Sequence, residues 1–375
     1  MARRAGNTRP TPSGSARREA TSPPPAPARR GPKVLRYDEV LGQSRATDVL
    51  RAAAQSRRVH STWVFHGPSG VGKFTTAVAF GAVLLGGDET GTAEAARLIR
   101  AATHPDFHVI TKELSAYSRD PRVREQLQNN IPKAVIEEFL IDPAALAAVG
   151  GAGIKVFIVD EAERLDPIAQ NSLLKLTEEP PPGTVIIMVT ASEDRLLPTI
   201  RSRAQRVGFM PLGAEDMERW ARSHEAEHGA AIDPHQRAWL IGVSGGSPGA
   251  MWLALEEGLT AWRDAIEPLL DVLLEGDFPS ALASTMERLV EERAVAAVER
   301  DPAASKEAAN KFWARRLVAF VGESLRSRIR QSPRLARAAA TWIERFDAAQ
   351  TQIEANVKIG FALEGAVAGA GLDQP

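Results

Sequence analysis

Gly67-Pro68-Ser69-Gly70-Val71-Gly72-Lys73 has the composition and spacing of a loop that wraps phosphate. Its glycines let successive backbone amides point at one set of oxygens, and the lysine that closes it carries a positive charge to the outer phosphates. Further along, the apolar run Val156-Phe157-Ile158-Val159 leads into two adjacent carboxylates, Asp160 and Glu161. In phosphoryl chemistry the first acid of such a pair holds magnesium through water and the second polarises an attacking water. Each feature alone has a plain alternative, a glycine turn that binds nothing or two surface acids after a buried strand. Together, at this separation, they favour a site for ATP or ADP.

One position breaks the pattern. A Ser or Thr after the lysine would supply a hydroxyl to magnesium, but this chain has Phe74, and Thr75 follows one place too late and is expected to point elsewhere on the helix. Amides and Lys73 can still hold a nucleotide. Magnesium, for which Asp160 is the candidate ligand, should be poorly placed.

These residues need a sheet and helix ends to position them. Thr62–Phe65 reads as a short buried strand entering the glycine loop, and an apolar helix to about Leu85 leaves it. Phe107–Ile110, Lys155–Asp160 and Thr184–Thr190 read as further strands, with helices over 43–57, 131–149 (broken near Asp142-Pro143) and 167–178. Apolar strands separated by helices imply a parallel α/β sheet covered on both faces. After Phe209 the strand signals fade. Three short helices are expected at 214–227, 233–243 and 248–258, then longer ones from about 261 to 367. The spacing of Trp262, Phe312, Trp313, Leu317, Phe320, Leu325, Trp342, Ile343, Phe346 and Ile353 suits an all-helical region with these residues on apolar faces. Its tryptophans read as core anchors before ligand platforms. The resulting division is a tail at 1–33, an α/β domain at 34–210, a small helical lid at 211–260, a helical domain at 261–367 and a tail at 368–375.

The 375 residues carry a net charge of −1, which hides an uneven distribution. Residues 1–33, rich in Pro, Ser, Ala and Arg, carry +7 and the rest −8. That segment is expected to be disordered, either a solubilising extension or a nonspecific contact for nucleic acid. The acidic body lacks the basic excess of an autonomous DNA-binding domain. The chain has no cysteine, which removes disulfides, thiolate zinc sites, iron–sulfur ligation and cysteine nucleophiles together. No uninterrupted 18-residue apolar segment is present, so no membrane span is expected.

The sequence resembles the delta-prime family of bacterial DNA polymerase III clamp-loader subunits, which are AAA+ proteins. The resemblance covers roughly residues 36–365. It is carried by Val40-Leu41-Gly42-Gln43, the Gly67–Lys73 loop, His104-Pro105-Asp106, Asp160-Glu161-Ala162-Glu163-Arg164-Leu165, Asn171-Ser172-Leu173-Leu174-Lys175, Glu178-Glu179-Pro180-Pro181-Pro182-Gly183 and the run from Arg195 to Arg203. Ser244-Gly245-Gly246-Ser247-Pro248-Gly249 fits the same family's lid. The resemblance implies an AAA+ domain, a helical lid and a helical collar, in a cytoplasmic hetero-oligomer with motor and delta subunits. That assembly opens a sliding clamp and closes it on primer–template DNA. It also implies that Arg203 is an arginine finger acting in trans on ATP held by a neighbour, and that Thr190 is a sensor hydroxyl. A surface arginine paired with a carboxylate, and a buried threonine with backbone contacts, are the respective alternatives.

Departures from the family pattern bear on the chemistry. The family's Ser-Arg-Cys becomes Ser202-Arg203-Ala204, and the position of a motor subunit's second sensor arginine holds Gly249. The four-cysteine zinc module of many relatives has no counterpart between Gly86 and Thr103, so no zinc is expected. Phe74 and Gly249 imply little or no hydrolysis by the chain itself. An ATP-hydrolysing motor subunit is the first alternative, supported by Lys73, Asp160 and Glu161. Motor subunits often continue into further domains, whereas this sequence ends at Pro375. A non-catalytic scaffold with a vestigial nucleotide site is the second alternative.

Overall fold

The computed structural model describes residues 31–56, 59–86, 94–125, 129–228, 231–300 and 305–368. The expected tails fall almost wholly outside these residues. Five strands, β1 (Thr62–His66), β2 (Phe107–Ile110), β3 (Lys155–Val159), β4 (Thr184–Thr190) and β5 (Gln205–Gly208), form one sheet in the order β2-β3-β4-β1-β5, with every pairing parallel. All residues of β3 and β4 are buried. That follows from the apolar runs Val156–Val159 and Val185–Val189 that make up most of them, which suit strands covered on both faces. From β1 the chain crosses to the β2 edge, returns through β3 and β4, and finally adds β5 on the other side of β1. The loops after β1, β3 and β4 therefore leave the same carboxyl edge, where ligands of open α/β sheets sit.

The helical stretch after β2 differs from the expected one. It runs over 133–145, ends before 149 and is not broken at Pro143. Proline removes a donor that an α-helix needs, and the chain absorbs this with a π turn over Glu137–Ile141. The end at 145 is fixed by Lys155, whose buried ammonium donates to the carbonyls of Pro143 (2.9 Å), Ala144 (2.6 Å) and Leu146.

Three helices follow the sheet, Ala214–His228, Pro234–Val243 and Pro248–Glu256. The second and third start on side-chain caps, Asp233 accepting from Gln236 N and Ser247 from Ala250 N, each followed by proline in the first turn. Five further helices, from Thr260–Leu274 to Ile359–Ala368, complete the mixed α/β plus all-helical architecture. Trp262, Trp313, Trp342 and Phe346 are buried there, and Trp262 meets Trp313 edge-on at 6.1 Å. Phe312 corrects the expected apolar stripe: it is 47% exposed, under the Arg316 guanidinium at 4.8 Å. Trp313, Ala314, Leu317 and Phe320 take the inward face, and Phe312 lies beyond its edge on the side away from Ala314. Among the described residues no helix is long and apolar enough to cross a membrane.

Candidate functional site

β1 delivers the glycine loop, and the helix Lys73–Leu84 begins at its last residue, with Gly72 as N-cap in the left-handed region. Lys73 is buried, and its Nζ donates to the carbonyls of Gly67 (2.6 Å) and Pro68. Beside Gly72 there is open space where a side chain would stand. Phe74 and Thr75 both line the cleft over the loop. The cleft borders the first turn of the helix, from Lys73 to Thr75.

Asp160, at the end of β3, lies in the same cleft, as do Glu161, Glu163 and, from β4, Thr190. Burial pushes the Asp160 carboxyl up to about 6, with Glu161 and Glu163 adding to the rise and the Glu161 amide and Lys73 opposing it. Burial likewise lowers Lys73, against the attraction of Glu163 and Asp160. Glu161 has a left-handed backbone (φ 49°), and its carboxylate stands 2.9 Å from Arg164 Nε and 3.8 Å from Lys112 Nζ. Thr190 is 1% exposed, and its Oγ1 accepts from Ser192 N at 3.0 Å. One lone pair of that hydroxyl thus belongs to the turn, while its O–H proton remains a donor.

The raised Asp160 carboxyl has a stability consequence. A carboxyl that binds its proton more tightly folded than unfolded costs stability once ionised. Stability should therefore fall as pH rises from about 4 to about 6 and stay level above. Asp160→Asn should remove this slope and, in urea denaturation at pH 7.5, gain on the order of 2 kcal/mol. A variant no more stable than the parent at that pH contradicts the assignment.

The cleft has a volume of about 520 Å³ and two unlike ends. Lys73, Asp160 and Thr190 make one charged. Val40 and Leu41, facing Trp220, His224 and Trp252 of the three-helix region, make the other largely apolar. Trp220 stacks on His224 at 4.6 Å, and Trp252 meets the same imidazole edge-on at 4.3 Å. A nucleotide, with an apolar base and a charged phosphate chain, has this polarity. Trp220 and His224 stand one helical turn apart, a signal available in the sequence but passed over. Trp252 carried no local signal.

The three-helix region also seats directly on the glycine loop. Ser247 Oγ donates to the Ser69 carbonyl at 2.9 Å, and Gly249 N donates to the Gly70 carbonyl at 3.0 Å. A Cβ on Gly249 would stand 2.8 Å from Gly70 Cα, and one on Gly70 would stand 2.4 Å from Ser247 Oγ. Gly249 is therefore a packing requirement as well as a missing arginine.

The residues fit the phosphates of a nucleotide better than they fit magnesium. The open cradle at Gly72 and the adjacent ammonium suit an anion. A hydroxyl ligand is missing at Phe74, and among the described residues no group of three or more His, Cys, Asp or Glu could hold a metal ion. Of the stretch expected to replace a zinc module, 87–93 lie outside the described residues, and Glu94–Arg100 is a helix.

Arg203 does not line this cleft. It follows the short helix Pro198–Ser202, with Nη1 donating to the Thr199 carbonyl at 3.0 Å and Nη2 2.9 Å from Glu178 Oε1. Its side chain is 39% exposed. The sequence-based site residues thus fall into two places, with Ser69–Lys73, Asp160, Glu161 and Thr190 lining the cleft and Arg203 apart, while Gly67 and Pro68, earlier in the loop, do not line it.

A family model described as DNA polymerase III, delta subunit, matches residues 42–213, the segment that contains both places. The DNA polymerase III subunit delta' of Pseudomonas aeruginosa is 32% identical over 192 residues, 50% of this chain and 53% of that protein. Subunit delta' of Escherichia coli is 30% identical over 246 residues, 63% of this chain and 66% of its own length. Subunit gamma/tau of Mycobacterium tuberculosis is 27% identical over 262 residues, 66% of this chain and 43% of the relative. The chain spans about half the length of the Pseudomonas protein and less than half of the mycobacterial one.

Proposed function

Because this chain is related to the delta-prime and other clamp-loader AAA+ proteins, we propose that it serves as a delta-prime-like subunit of a bacterial clamp loader. In this reading it assembles with motor and delta subunits and assists ATP-dependent loading of a sliding clamp onto primed DNA. Its own cleft holds ATP or ADP weakly, without productive magnesium. Arg203 acts in trans on ATP held by the adjacent motor subunit.

The observation that carries the reading is the separation of the parts. The arginine fork stands exposed, away from the chain's own cleft, while that cleft lacks a magnesium hydroxyl at Phe74 and is met at the loop by Gly249. An arginine finger works only where its fork reaches developing charge on a phosphoryl group, and here that group must come from another chain.

The motor alternative keeps one supporting observation, the convergence of Lys73, Asp160 and Glu161 on one cleft. Glu161, however, is ion-paired to two cations in this arrangement. The readings separate in a simple assay. The purified chain should show no magnesium-dependent ATP turnover above background, whereas robust turnover that Lys73→Ala abolishes would make it a motor. In the reconstituted assembly, Arg203→Ala should depress ATPase if the finger is used and leave it unchanged if the chain is only a scaffold.

A further inference from the structure

We propose that Glu178 is the positioning residue of Arg203. The inference rests on the reading of Arg203 as a finger in trans and adds to it the group that holds the finger in place.

Arg203 is anchored at two different nitrogens, Nη1 by the Thr199 carbonyl and Nη2 by Glu178. Two anchors define the plane of a guanidinium, which one cannot do. The Thr199 carbonyl takes one of its five N–H donors and Glu178 pairs with Nη2 by charge, which leaves N–H donors for a phosphate oxygen. Glu178 is the last residue of the helix Pro167–Glu178, and Arg203 directly follows the helix Pro198–Ser202. A carboxylate at a helix C-terminus is electrostatically disfavoured, and a guanidinium there is favoured. Glu178 is thus poorly placed for its own helix and well placed for Arg203.

Stability does not account for the pair. The two side chains are 39% and 49% exposed, and ion pairs this open contribute little to folding. What the contact supplies is order. A free arginine side chain samples many rotamers, and a fork already held in one plane loses less freedom when it meets the transition state. Since ATP binding at the neighbour's site does not require the fork, the effect belongs in kcat, not in KM.

The test uses the full chain assembled with its motor and delta subunits, with ATP as substrate. Glu178→Gln should lower kcat roughly fivefold, about 1 kcal/mol of transition-state stabilisation. KM for ATP and the melting temperature should stay as they were, and Glu178→Asp should recover part of the loss. On an Arg203→Ala background, Glu178→Gln should change nothing further. An unchanged or raised kcat in Glu178→Gln, with Arg203→Ala strongly impaired, overturns the positioning role and leaves the finger standing. Equal losses on both backgrounds mark a merely structural residue and also overturn it. If Arg203→Ala itself has no effect, the finger reading fails and this inference fails with it.

Discussion

Arg203→Ala is expected to lower the ATPase of the reconstituted assembly by about a thousandfold at the site facing this subunit, the scale of a finger stabilising charge on a transferred phosphoryl group. Where several motor sites contribute, total turnover falls by the share of that one site, so single-turnover hydrolysis is the sharper measurement. Assembly and nucleotide affinity should be unaffected. The arginine is 39% exposed, and its two anchors, Thr199 and Glu178, lie on the chain's own surface, so its removal leaves no cavity. Arg203→Lys should rescue little. An ammonium can pair with Glu178, but it cannot bridge a carbonyl, a carboxylate and a phosphate with a planar fork. Wild-type hydrolysis in the alanine variant would end the finger reading and favour a scaffold.

Gly67→Ala should produce the largest loss of stability among the loop variants. Gly67 has φ 138°, and a Cβ there would lie 2.2 Å from the Phe209 carbonyl oxygen. That oxygen cannot easily move, because Phe209 N donates to the His66 carbonyl at 2.8 Å and the Phe209 ring is buried against Phe65 at 5.3 Å. Strain and displacement together should cost on the order of 3 kcal/mol, read in urea denaturation. Gly72→Ala is the control. Its φ of 101° is also unfavourable, but a Cβ there meets nothing within 4 Å, so only the backbone cost of about 1 kcal/mol should appear. Equal losses in the two variants would mean that the contact with Phe209 does not matter.

The sheet was legible where burial is continuous. The interiors of β3 and β4, Val156–Val159 and Val185–Val189, are unbroken apolar runs, and the Thr184–Thr190 strand and 167–178 helix have the expected bounds. β5 was not legible. In Gln205-Arg206-Val207-Gly208 only Val207 is buried, and the segment is a strand because it pairs with β1 from Trp63 to His66. Local propensity has no access to such a partner. The same division holds at the site. Phosphate-loop chemistry is written in consecutive residues, so Lys73 and the missing hydroxyl at Phe74 were visible at once. The apolar wall of Trp220, His224 and Trp252, and the pairing of Arg203 with Glu178, join segments far apart in sequence and depend on tertiary contact.

The meeting of Gly249 with Gly70 also bears on how this chain could change over generations. An arginine at 249, as in motor subunits, cannot be introduced alone, since its Cβ would stand 2.8 Å from Gly70 Cα. Nor would a hydroxyl at 74 by itself recruit a lid that is already bonded to the loop through Ser247 and Gly249. A change at 74 thus leaves the close approach of Gly249 to Gly70 in place, and any larger residue at 249 requires the loop at Gly70 to move as well.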